Sequence, residues 1–599
     1  MIPASRSSFP QSAAPPGRAL VANRTYRKAA AFLAVVCFAV WVQLTFYDQF
    51  WWPPDDGAYA HVAQRILAGE VLNRDIQDLH AGYINFTNAL ALSLFGPKLV
   101  AMRYPLALLG VVEAGIVFFL LLPRGTLVAT AGAAAMTALG FIQFLNPTAH
   151  WYALFLFIVL LGALTAMPRE SRWRLELVGF LLATIFLYRQ LTGVLVAIGV
   201  LTYLLCEPAG SRSGFRNRLL ARTVLAIMGV GLLGYLIGKA DWGAAALFGF
   251  GPMALIIWVA VYGADDNRGA ARTVGKLGLG AFVGLIPLVI YHWTTGSLGA
   301  WIDDAFLAAF ALTELPFFSD ARYARLLLIA IAVTSGSPEP WAWASSLFWI
   351  AVLLLAPITA FLTMRALASE RQTGAARGHL LPFLTSFYAL AALHFQIPVY
   401  LMYTAASSLI GLLWFATPRS YSKPILLGLA AFLVAAGLYF QAGQPMTRGY
   451  SGIVSGTRVP AVAVPDAPAI GLRVPADDAA RYRDLLRLIE NETAPNAFIL
   501  ALPVNPELYF LSGRRNPTRF FNAALGMRNE AEFQAVLETV RRNPPQLVFF
   551  QPNDKYNTVY VHRLVELVRG RYEMLPARGG FEIYRARSAS GPSIGSGQP

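Results

Sequence analysis

The sequence predicts a polytopic α-helical membrane protein of about thirteen transmembrane helices that ends in an α/β domain. Of its 599 residues 56% are hydrophobic and only 14% are charged, whereas soluble globular proteins carry about 25% charged residues. The mean hydropathy is +0.52, and runs of apolar residues long enough to cross a bilayer recur through residues 29–444. These features exclude a purely soluble enzyme and a disordered chain.

Residues 1–28 are rich in Pro, Ser and Arg, and we expect them to be disordered in the cytoplasm. Basic residues cluster just before the first apolar run, Ala29 to Tyr47, and such residues collect at the cytoplasmic end of a span. No small-residue cleavage site follows this run, so we interpret it as a retained helix. The net charge of +15 therefore indicates loop anchoring at a membrane, and no nucleic-acid partner is expected.

The number of spans depends on the stretch 175–206, which is long enough for one long helix or two short ones. Arg169, Arg172 and Arg174 precede it, and a second arginine cluster follows it from Arg212. Because both ends favour the cytoplasm, we predict two crossings with a turn at Tyr188 to Gly193. The other predicted spans lie near 29–47, 98–122, 126–144, 150–167, 219–238, 243–263, 277–292, 342–364, 381–395, 398–417 and 424–441.

This count leaves three segments outside the membrane. The first is the loop 48–97, and the second is a loop of about 293–341, in which Trp301 to Phe306 suggests an interfacial helix with Asp303 and Asp304 on a solvated face. The third is the tail 445–587, read as an α/β domain and followed by a disordered end, 588–599. Its predicted elements are helices at 480–489, 530–540 and through Leu564 and Val568, strands at 498–502 and 547–550, and a hairpin of 572–575 with 581–584.

The first outer loop holds the most informative polar residues. Asp55 and Asp56 follow Pro53-Pro54 directly, at the start of a predicted helix. Carboxylates are favoured at helix N-termini, so capping is one interpretation. Two adjacent carboxylates also repel, which favours a cation, a positive partner or an acid/base role.

Further motifs follow Asp55 in a definite order: Asp55-Asp56-Gly57-Ala58-Tyr59, Gly69, Arg74-Asp75, Phe95-Gly96 and Arg103. This order resembles the first outer loop of the GT-C glycosyltransferases, especially the bacterial family 39-type enzymes, relatives of protein O-mannosyltransferases and of the aminoarabinose transferase that modifies lipid A. The resemblance extends in architecture to about residue 445, and Tyr509 to Arg519 resembles the outer domain of bacterial members. One departure is that His80-Ala81-Gly82 stands where the family has Lys-Pro-Pro.

The resemblance implies a GT-C fold and an inverting transfer of a hexosyl or pentosyl group from a polyprenyl-phosphate donor. The implied acceptor is a hydroxyl of a cell-envelope glycan, lipid or protein, outside the bacterial inner (plasma) membrane. By motif, Asp55 is the general base and Asp56 its catalytic partner. Relatives act without a required metal, although a divalent cation held by Asp55 and Asp56 stays open.

Other candidates would bind the donor phosphate or line the acceptor site. Arg189, placed at the outer surface by the predicted turn, is a phosphate ligand or an arginine that snorkels to the interface. His150 lies beside Trp151, which at that depth is ordinarily an interface anchor. The full assignment is donor-phosphate binding for Arg189, His80 and Arg74, and acceptor or cleft residues Asp75, Asp78, Tyr59 and His150.

Two other functions fit the span count. A lipid or solute transporter or flippase without covalent chemistry explains the spans, but it explains neither the acidic outer loop nor the large outer tail. Inverted repeats and helices broken at the midplane, which transporters favour, are not apparent. The second alternative is a catalytically silent assembly protein with the same fold, because a fold alone does not determine a function.

Overall fold

The computed structural model describes residues 16–140, 146–206, 214–263, 269–308, 323–336, 339–373, 378–393, 396, 398–417, 422–441 and 459–587. Within these ranges, eight helices are long and apolar enough to cross a membrane, and five shorter helices of 10–17 residues are apolar. The chain therefore folds as a polytopic helical membrane protein with a small C-terminal α/β domain, as predicted. Residues 1–15 and 588–599, both predicted to be disordered, lie outside the described ranges.

The helices of the membrane region follow the apolar runs closely. The first begins at Pro16 instead of Ala29, so the predicted disordered N-terminus is helical from Pro16 onwards. The helices are α1 Pro16–Phe46, α2 Pro53–Leu67, α3 Tyr83–Phe95, α4 Tyr104–Leu121, α5 Thr126–Gly140, α6 Ala149–Ala166, α7 Arg174–Tyr188, α8 Gln190–Cys206 and α9 Phe215–Lys239. They continue with α10 Trp242–Gly263, α11 Ala270–Thr294, α12 Leu298–Ile302, α13 Tyr323–Gly336, α14 Pro340–Thr373, α15 Leu380–Leu393, α16 Pro398–Leu413 and α17 Ser422–Gln441.

The outward faces of these helices are apolar. Leu44, Ile237 and Phe361 are among the large hydrophobic side chains that remain more than half exposed. A surface helix of a soluble protein carries polar residues on that face, whereas hydrocarbon tails solvate apolar ones. Intrahelical hydrogen bonds satisfy the backbone, which a bilayer core requires.

The stretch 175–206 forms two helices, as the arginine clusters predicted. Arg189 interrupts them with an extended backbone, at φ −147° and ψ 103°. The chain then folds back so tightly that a Cβ on Gly193 would lie 2.4 Å from the Phe186 Cα. The turn therefore requires glycine at position 193.

The second outer loop differs from its prediction. It contains α13, an apolar helix of 14 residues that was not predicted from the sequence. Trp301 is buried, and its Nε1 donates to the Ala81 carbonyl at 2.8 Å. This bond joins the second outer loop to the first.

The C-terminal domain contains a four-stranded sheet, whose strands in spatial order are β3 Ile499–Leu502, β4 Leu547–Phe550, β6 Phe581–Ala586 and β5 Tyr572–Arg578. Parallel β3 and β4 pair Ile499 with Leu547, and the β5–β6 pair is the predicted hairpin. Side chains alternate along the sheet, so that Ile499 and Ala501 join one core cluster and Leu500 and Leu502 another. The elements are β1 Ala461–Ala463, β2 Arg473–Pro475, α18 Ala476–Glu492, β3 Ile499–Leu502, α19 Glu507–Ser512, α20 Ala523–Gly526, α21 Glu530–Arg542, β4 Leu547–Phe550, α22 Val559–Arg571, β5 Tyr572–Arg578 and β6 Phe581–Ala586.

The C-terminal domain packs directly on the first loop. Arg473 forms an ion pair with Asp48 at 2.5 Å. The backbone N–H of Gln77 donates to the backbone carbonyl of Arg519 at 2.6 Å. The loop 48–97 and the domain therefore lie on the same side of the membrane. An even number of crossings between them follows, in agreement with the double crossing of 175–206.

Asp304 joins three segments at this contact, which corrects its prediction as part of a solvated face. It is fully buried and pairs with Arg519 of the domain at 2.6 Å. Its carboxylate also accepts from the side chains of Asn73 at 3.2 Å and Gln77 at 3.3 Å. Asp303 instead pairs with Arg528 at the surface, at 3.2 Å.

Cysteine labelling tests this arrangement. In a background in which Cys37 and Cys206 are replaced by Ser, cysteines at the exposed positions Ala68 and Gln534 should react with a membrane-impermeant maleimide from the same side. A cysteine at the exposed Arg216, in the first turn of α9, should react only from the opposite side. Labelling of positions 68 and 534 from opposite sides would contradict the fold.

Candidate active site

A buried arginine holds the start of the first loop. The Arg103 guanidinium is fully buried and donates from Nη1 to the carbonyls of Tyr47 at 3.3 Å and Gln49 at 3.0 Å. Its Nη2 donates to the Phe50 carbonyl at 2.8 Å and to Asp56 Oδ1 at 3.1 Å. Phe50 has a φ of 57°, a conformation that non-glycine residues rarely adopt. Arg103 therefore stabilises the sharp turn that directs the chain from α1 into α2.

Asp56 is the partner of this arginine and has no access to a substrate. Its side chain is fully buried, and its Oδ2 accepts the Trp52 N–H at 2.9 Å. The bond satisfies an N–H at the start of α2, so the capping interpretation applies to Asp56. Both of its oxygens already have partners inside the protein, so the structure shows Asp56 in a structural place, and its assignment to the catalytic pair stays a prediction.

Asp55 is in the opposite situation. Its side chain is exposed and makes no hydrogen bond with the described part of the chain. Protein nevertheless surrounds the carboxylate on most sides, and this burial, followed by the charge of Asp56, raises its pKa to about 6. The cations of Lys555 and His80 act in the other direction. Asp55 is therefore an accessible carboxylate that exchanges a proton near neutral pH.

Tyr59, Asp78 and His80 form a hydrogen-bonded chain next to Asp55. Asp78 is buried, and its Oδ1 lies 2.7 Å from His80 Nδ1 and accepts the His80 amide at 2.6 Å. His80 Nε2 lies 3.4 Å from the Tyr59 hydroxyl, which donates to Thr148 Oγ1 at 3.1 Å. Asp78 thus orients the imidazole, so that Nε2 faces Tyr59.

Arg189 and Gln190, at the α7–α8 turn, have different roles. Gln190 Nε2 donates to the carbonyls of Leu79 at 2.8 Å and Ala305 at 2.9 Å, and so holds the loop that carries His80. The Arg189 guanidinium carbon lies 5.6 Å from the Tyr400 ring centroid. Its Nη2 is buried without a hydrogen-bond acceptor among the described residues. An unpaired buried donor is costly, and a phosphate oxygen would satisfy it.

His150 packs in an aromatic wall beside Arg189. Its ring stacks on Tyr403 at a centroid distance of 3.8 Å and meets Tyr400 edge-on at 4.9 Å. Asp55 and Arg189 both act electrostatically on these two tyrosines. The wall therefore borders the same site, although His150 itself is buried.

Arg74 and Asp75 do not join this site, which corrects their assignment. The two side chains form an exposed ion pair at 2.9 Å, and Asp75 also accepts the Val71 amide at 2.8 Å. The hydrogen bonds from Arg74 lower the pKa of Asp75. Arg74 further donates to the Thr295 carbonyl at 3.2 Å. The pair therefore connects the two outer loops, and the charges that act on Asp55 come from Asp56, Lys555 and His80.

Sequence reasoning missed Lys555 and Tyr556, which the C-terminal domain brings to the site. Lys555 acts electrostatically on Asp55, and Asp55 contributes with burial to raising the pKa of Tyr556. Both residues follow β4, at the carboxyl end of the parallel strands β3 and β4. Ligand-facing residues often follow such strand ends, and this position was the only signal available in the sequence.

A cation shared by Asp55 and Asp56 does not fit this geometry. The oxygens of Asp56 accept from Trp52 and Arg103, and an arginine at this position opposes a second positive charge. Among the described residues, no group of three or more His, Cys, Asp or Glu side chains is arranged to hold a metal. That the protein requires no metal stays a prediction.

Comparisons with known proteins give matches among solved structures alone. No family model matches, and no curated protein matches. The chain is similar to ArnT from Cupriavidus metallidurans bound to undecaprenyl phosphate, at 12% identity over 94% of this chain and 98% of that one, with a TM-score of 0.38. The apo state of the same protein matches at 14% identity over 93% and 97%, with a TM-score of 0.39.

A third similar structure is the oligosaccharyltransferase AglB from Archaeoglobus fulgidus, in complex with an inhibitory peptide and a dolichol-phosphate. It is 10% identical over 95% of this chain and 75% of that one, with a TM-score of 0.37. Because these TM-scores and identities are low, the function of this chain is inferred from its own residues.

The different environments of the two carboxylates predict different effects on stability. Asp56→Asn removes the countercharge of buried Arg103 and should destabilise the fold by up to about 3–5 kcal/mol, the usual cost of breaking a buried pair. Asp55→Asn should melt like the wild type because the Asp55 side chain makes no hydrogen bond with the described residues. Thermal melting of the purified variants in detergent measures both, and equal melting temperatures for wild type and Asp56→Asn would contradict the assignment.

Proposed function

We propose that this protein is a membrane glycosyltransferase of the GT-C type that moves a sugar from a polyprenyl-phosphate donor to a hydroxyl of a cell-envelope acceptor. The observation that carries the proposal is the presence of two different chemical groups in one site. Asp55 is an accessible carboxylate whose pKa is near neutral, and Arg189 offers a buried N–H donor without an acceptor among the described residues.

In the proposed reaction, Asp55 accepts the proton of the acceptor hydroxyl. The oxygen attacks the anomeric carbon of the sugar, and the carbon–oxygen bond to the lipid phosphate breaks. The electron pair leaves with the phosphate, and the anomeric centre inverts because attack and departure occur on opposite faces. The transferred group would be a hexosyl or pentosyl unit.

Arg189 is the proposed ligand of the leaving phosphate. It lies at the α7–α8 turn, where the neighbouring Gln190 bonds to the first loop at the Leu79 carbonyl. A guanidinium binds phosphate through forked hydrogen bonds, and low local dielectric strengthens such bonds. His80, held by Asp78, is the proposed second donor. The basic-loop pattern supports an outer, periplasmic location of the site in a bacterial plasma membrane.

Substitution of Asp55 tests the reaction. Asp55→Asn should insert normally and lose roughly 10²–10⁴-fold in transfer rate, the usual worth of a positioned base. The assay follows radiolabelled sugar from polyprenyl phosphate into the envelope fraction. Unchanged turnover in Asp55→Asn would contradict the mechanism, and lipid movement without a covalent product would favour a transporter.

The pKa of Asp55 predicts the pH dependence. A base with a pKa of about 6 is ionised above that pH and protonated below it. The kcat/KM for transfer should therefore be nearly constant above pH 7 and fall about tenfold per pH unit well below 6. A profile that stays flat down to pH 4.5, while the protein remains folded, would exclude Asp55 as the base.

Substitution of Arg189 tests donor binding separately. Arg189→Lys keeps the charge but loses the fork, so it should retain part of the affinity for undecaprenyl phosphate, whereas Arg189→Ala should lose at least about tenfold. Binding is measured by titration calorimetry in detergent, with melting curves as the control for folding. Undiminished binding to a folded Arg189→Ala would leave Arg189 only a structural role.

A further inference from the structure

A buried histidine, His61, lies at the contact between α2 and the C-terminal domain. Only 2% of it is exposed, and its ring stacks on the Tyr509 ring of α19 at a centroid distance of 4.8 Å. His61 Nε2 lies 3.4 Å from the side-chain nitrogen of Asn516. His61 Nδ1 is buried without a hydrogen-bond partner among the described residues. The domain therefore encloses the imidazole and meets its Nε2 with one polar group.

Hydrogen bonds within the domain fix the orientation of the Asn516 amide. Its Oδ1 accepts from the backbone N–H of Thr518 at 2.9 Å and from the Thr518 hydroxyl at 2.8 Å. Its Nδ2 donates to the Phe520 carbonyl at 2.7 Å. Reversal of the amide would break all three bonds, so a donor faces His61. His61 Nε2 must then accept, which requires a neutral imidazole with its proton on Nδ1.

The charges around His61 do not favour a proton on it. Arg65, one turn further along α2, is a second cation, and its Nη1 donates to the Thr518 carbonyl of the domain at 2.9 Å. Burial, followed by the charge of Arg65, lowers the pKa of His61 well below its ordinary value. The other charged or titratable groups are Asp55, Asp56 and Tyr59 earlier on α2, and, on the elements packed against α2, Tyr83 of α3, Arg103, and Glu507 and Tyr509 of α19.

Glu507 belongs to the same contact and responds to pH in the opposite sense. It packs on α2 at Gly57, where an added Cβ would lie 2.4 Å from the Glu507 nitrogen. The Tyr482 hydroxyl donates to Glu507 Oε1 at 2.9 Å, and Oε2 is buried without a hydrogen-bond partner in the described part of the chain. Burial raises the pKa of Glu507 to about 7, so its protonation in acid favours docking. An experiment on His61 must therefore separate the two groups.

We propose that His61 is an acid-sensitive contact between α2 and the C-terminal domain, which holds the domain while neutral and weakens its docking when protonated. A proton on Nε2 would face the Asn516 donor, and the new charge would be buried beside Arg65. In the undocked protein the imidazole takes the proton in water. A group that binds its proton more readily in the open state shifts the equilibrium towards that state as the pH falls. The contribution of His61 to docking is therefore complete above the ordinary histidine pKa of about 6.5 and is lost below it.

Hydrogen exchange of the full-length protein in detergent measures the opening of this contact, because the amides of α2 and α19 exchange when it opens. His61→Gln keeps an acceptor for Asn516 but does not ionise. His562→Gln is the matched control, since His562 is an exposed histidine of the same domain, on α22. The ratio of the wild-type opening constant to that of His61→Gln should rise about tenfold from pH 7.5 to pH 5.5. His562→Gln should match the wild type at both values. Comparison at equal pH cancels the intrinsic exchange rate and the contribution of Glu507.

A ratio that is equal at both pH values would overturn the proposal, because His61 would then contribute only packing. A second variant covers the case in which His61→Gln does not fold. Glu507→Gln removes the opposing group, so its contact should open more steeply in acid than that of the wild type. Equal opening of Glu507→Gln at pH 7.5 and 5.5, after correction for the intrinsic rate, would also overturn the role of His61. These readouts follow docking and do not depend on sugar transfer.

Discussion

The ion pair of Arg103 with Asp56 is the interaction on which the rest of the site depends. Both side chains are fully buried, so each charge has lost its hydration, and such a pair is tolerated only when its remaining hydrogen bonds are made. Arg103 meets most of this requirement with three backbone carbonyls in addition to Asp56, and only its Nε has no acceptor among the described residues. These carbonyls belong to the end of α1 and the turn before α2. One guanidinium thus sets the geometry from which α2 starts, and with it the position of Asp55.

Two adjacent residues of the same type perform different tasks because the helix directs them differently. Asp56 points into the protein and accepts hydrogen bonds from Trp52 and Arg103. Asp55 remains exposed, without a hydrogen-bond partner in the described part of the chain. Burial raises the pKa of Asp56 and Arg103 acts in the opposite direction, while the charge of Asp56 contributes to the raised pKa of its neighbour. The structural residue therefore tunes the chemically available one.

The outer segments form one unit with the C-terminal domain. Asp304 connects the second loop to Arg519 of the domain and to Asn73 and Gln77 of the first loop. The contact of Gly57 with Glu507 connects α2 to α19. Because these contacts surround Asp55, its environment depends on the docking of a domain that is remote in sequence. This dependence gives the C-terminal domain a direct part in the electrostatics of the site.

The sequence by itself determined the features that local patterns encode. Hydropathy located the helices, the basic loops predicted the double crossing of 175–206, and strand patterns predicted the β5–β6 hairpin. The order of motifs after Asp55 predicted a site in the first loop, where Asp55, Tyr59, Asp78 and His80 lie close together. Each of these features depends on residues close together in the chain, so the sequence was sufficient to predict them.

Only the tertiary structure decided which residues share the site. The burial of Asp56, the exposed pair of Arg74 with Asp75 and the burial of Asp304 depend on neighbours from other segments, and composition does not reveal them. Lys555 reaches Asp55 only because the C-terminal domain docks on α2, through a contact that requires the absence of a side chain at Gly57. Long-range packing sets burial, and burial sets the free energy of each charge. The chemistry of a carboxylate was therefore visible in the sequence, whereas its availability was not.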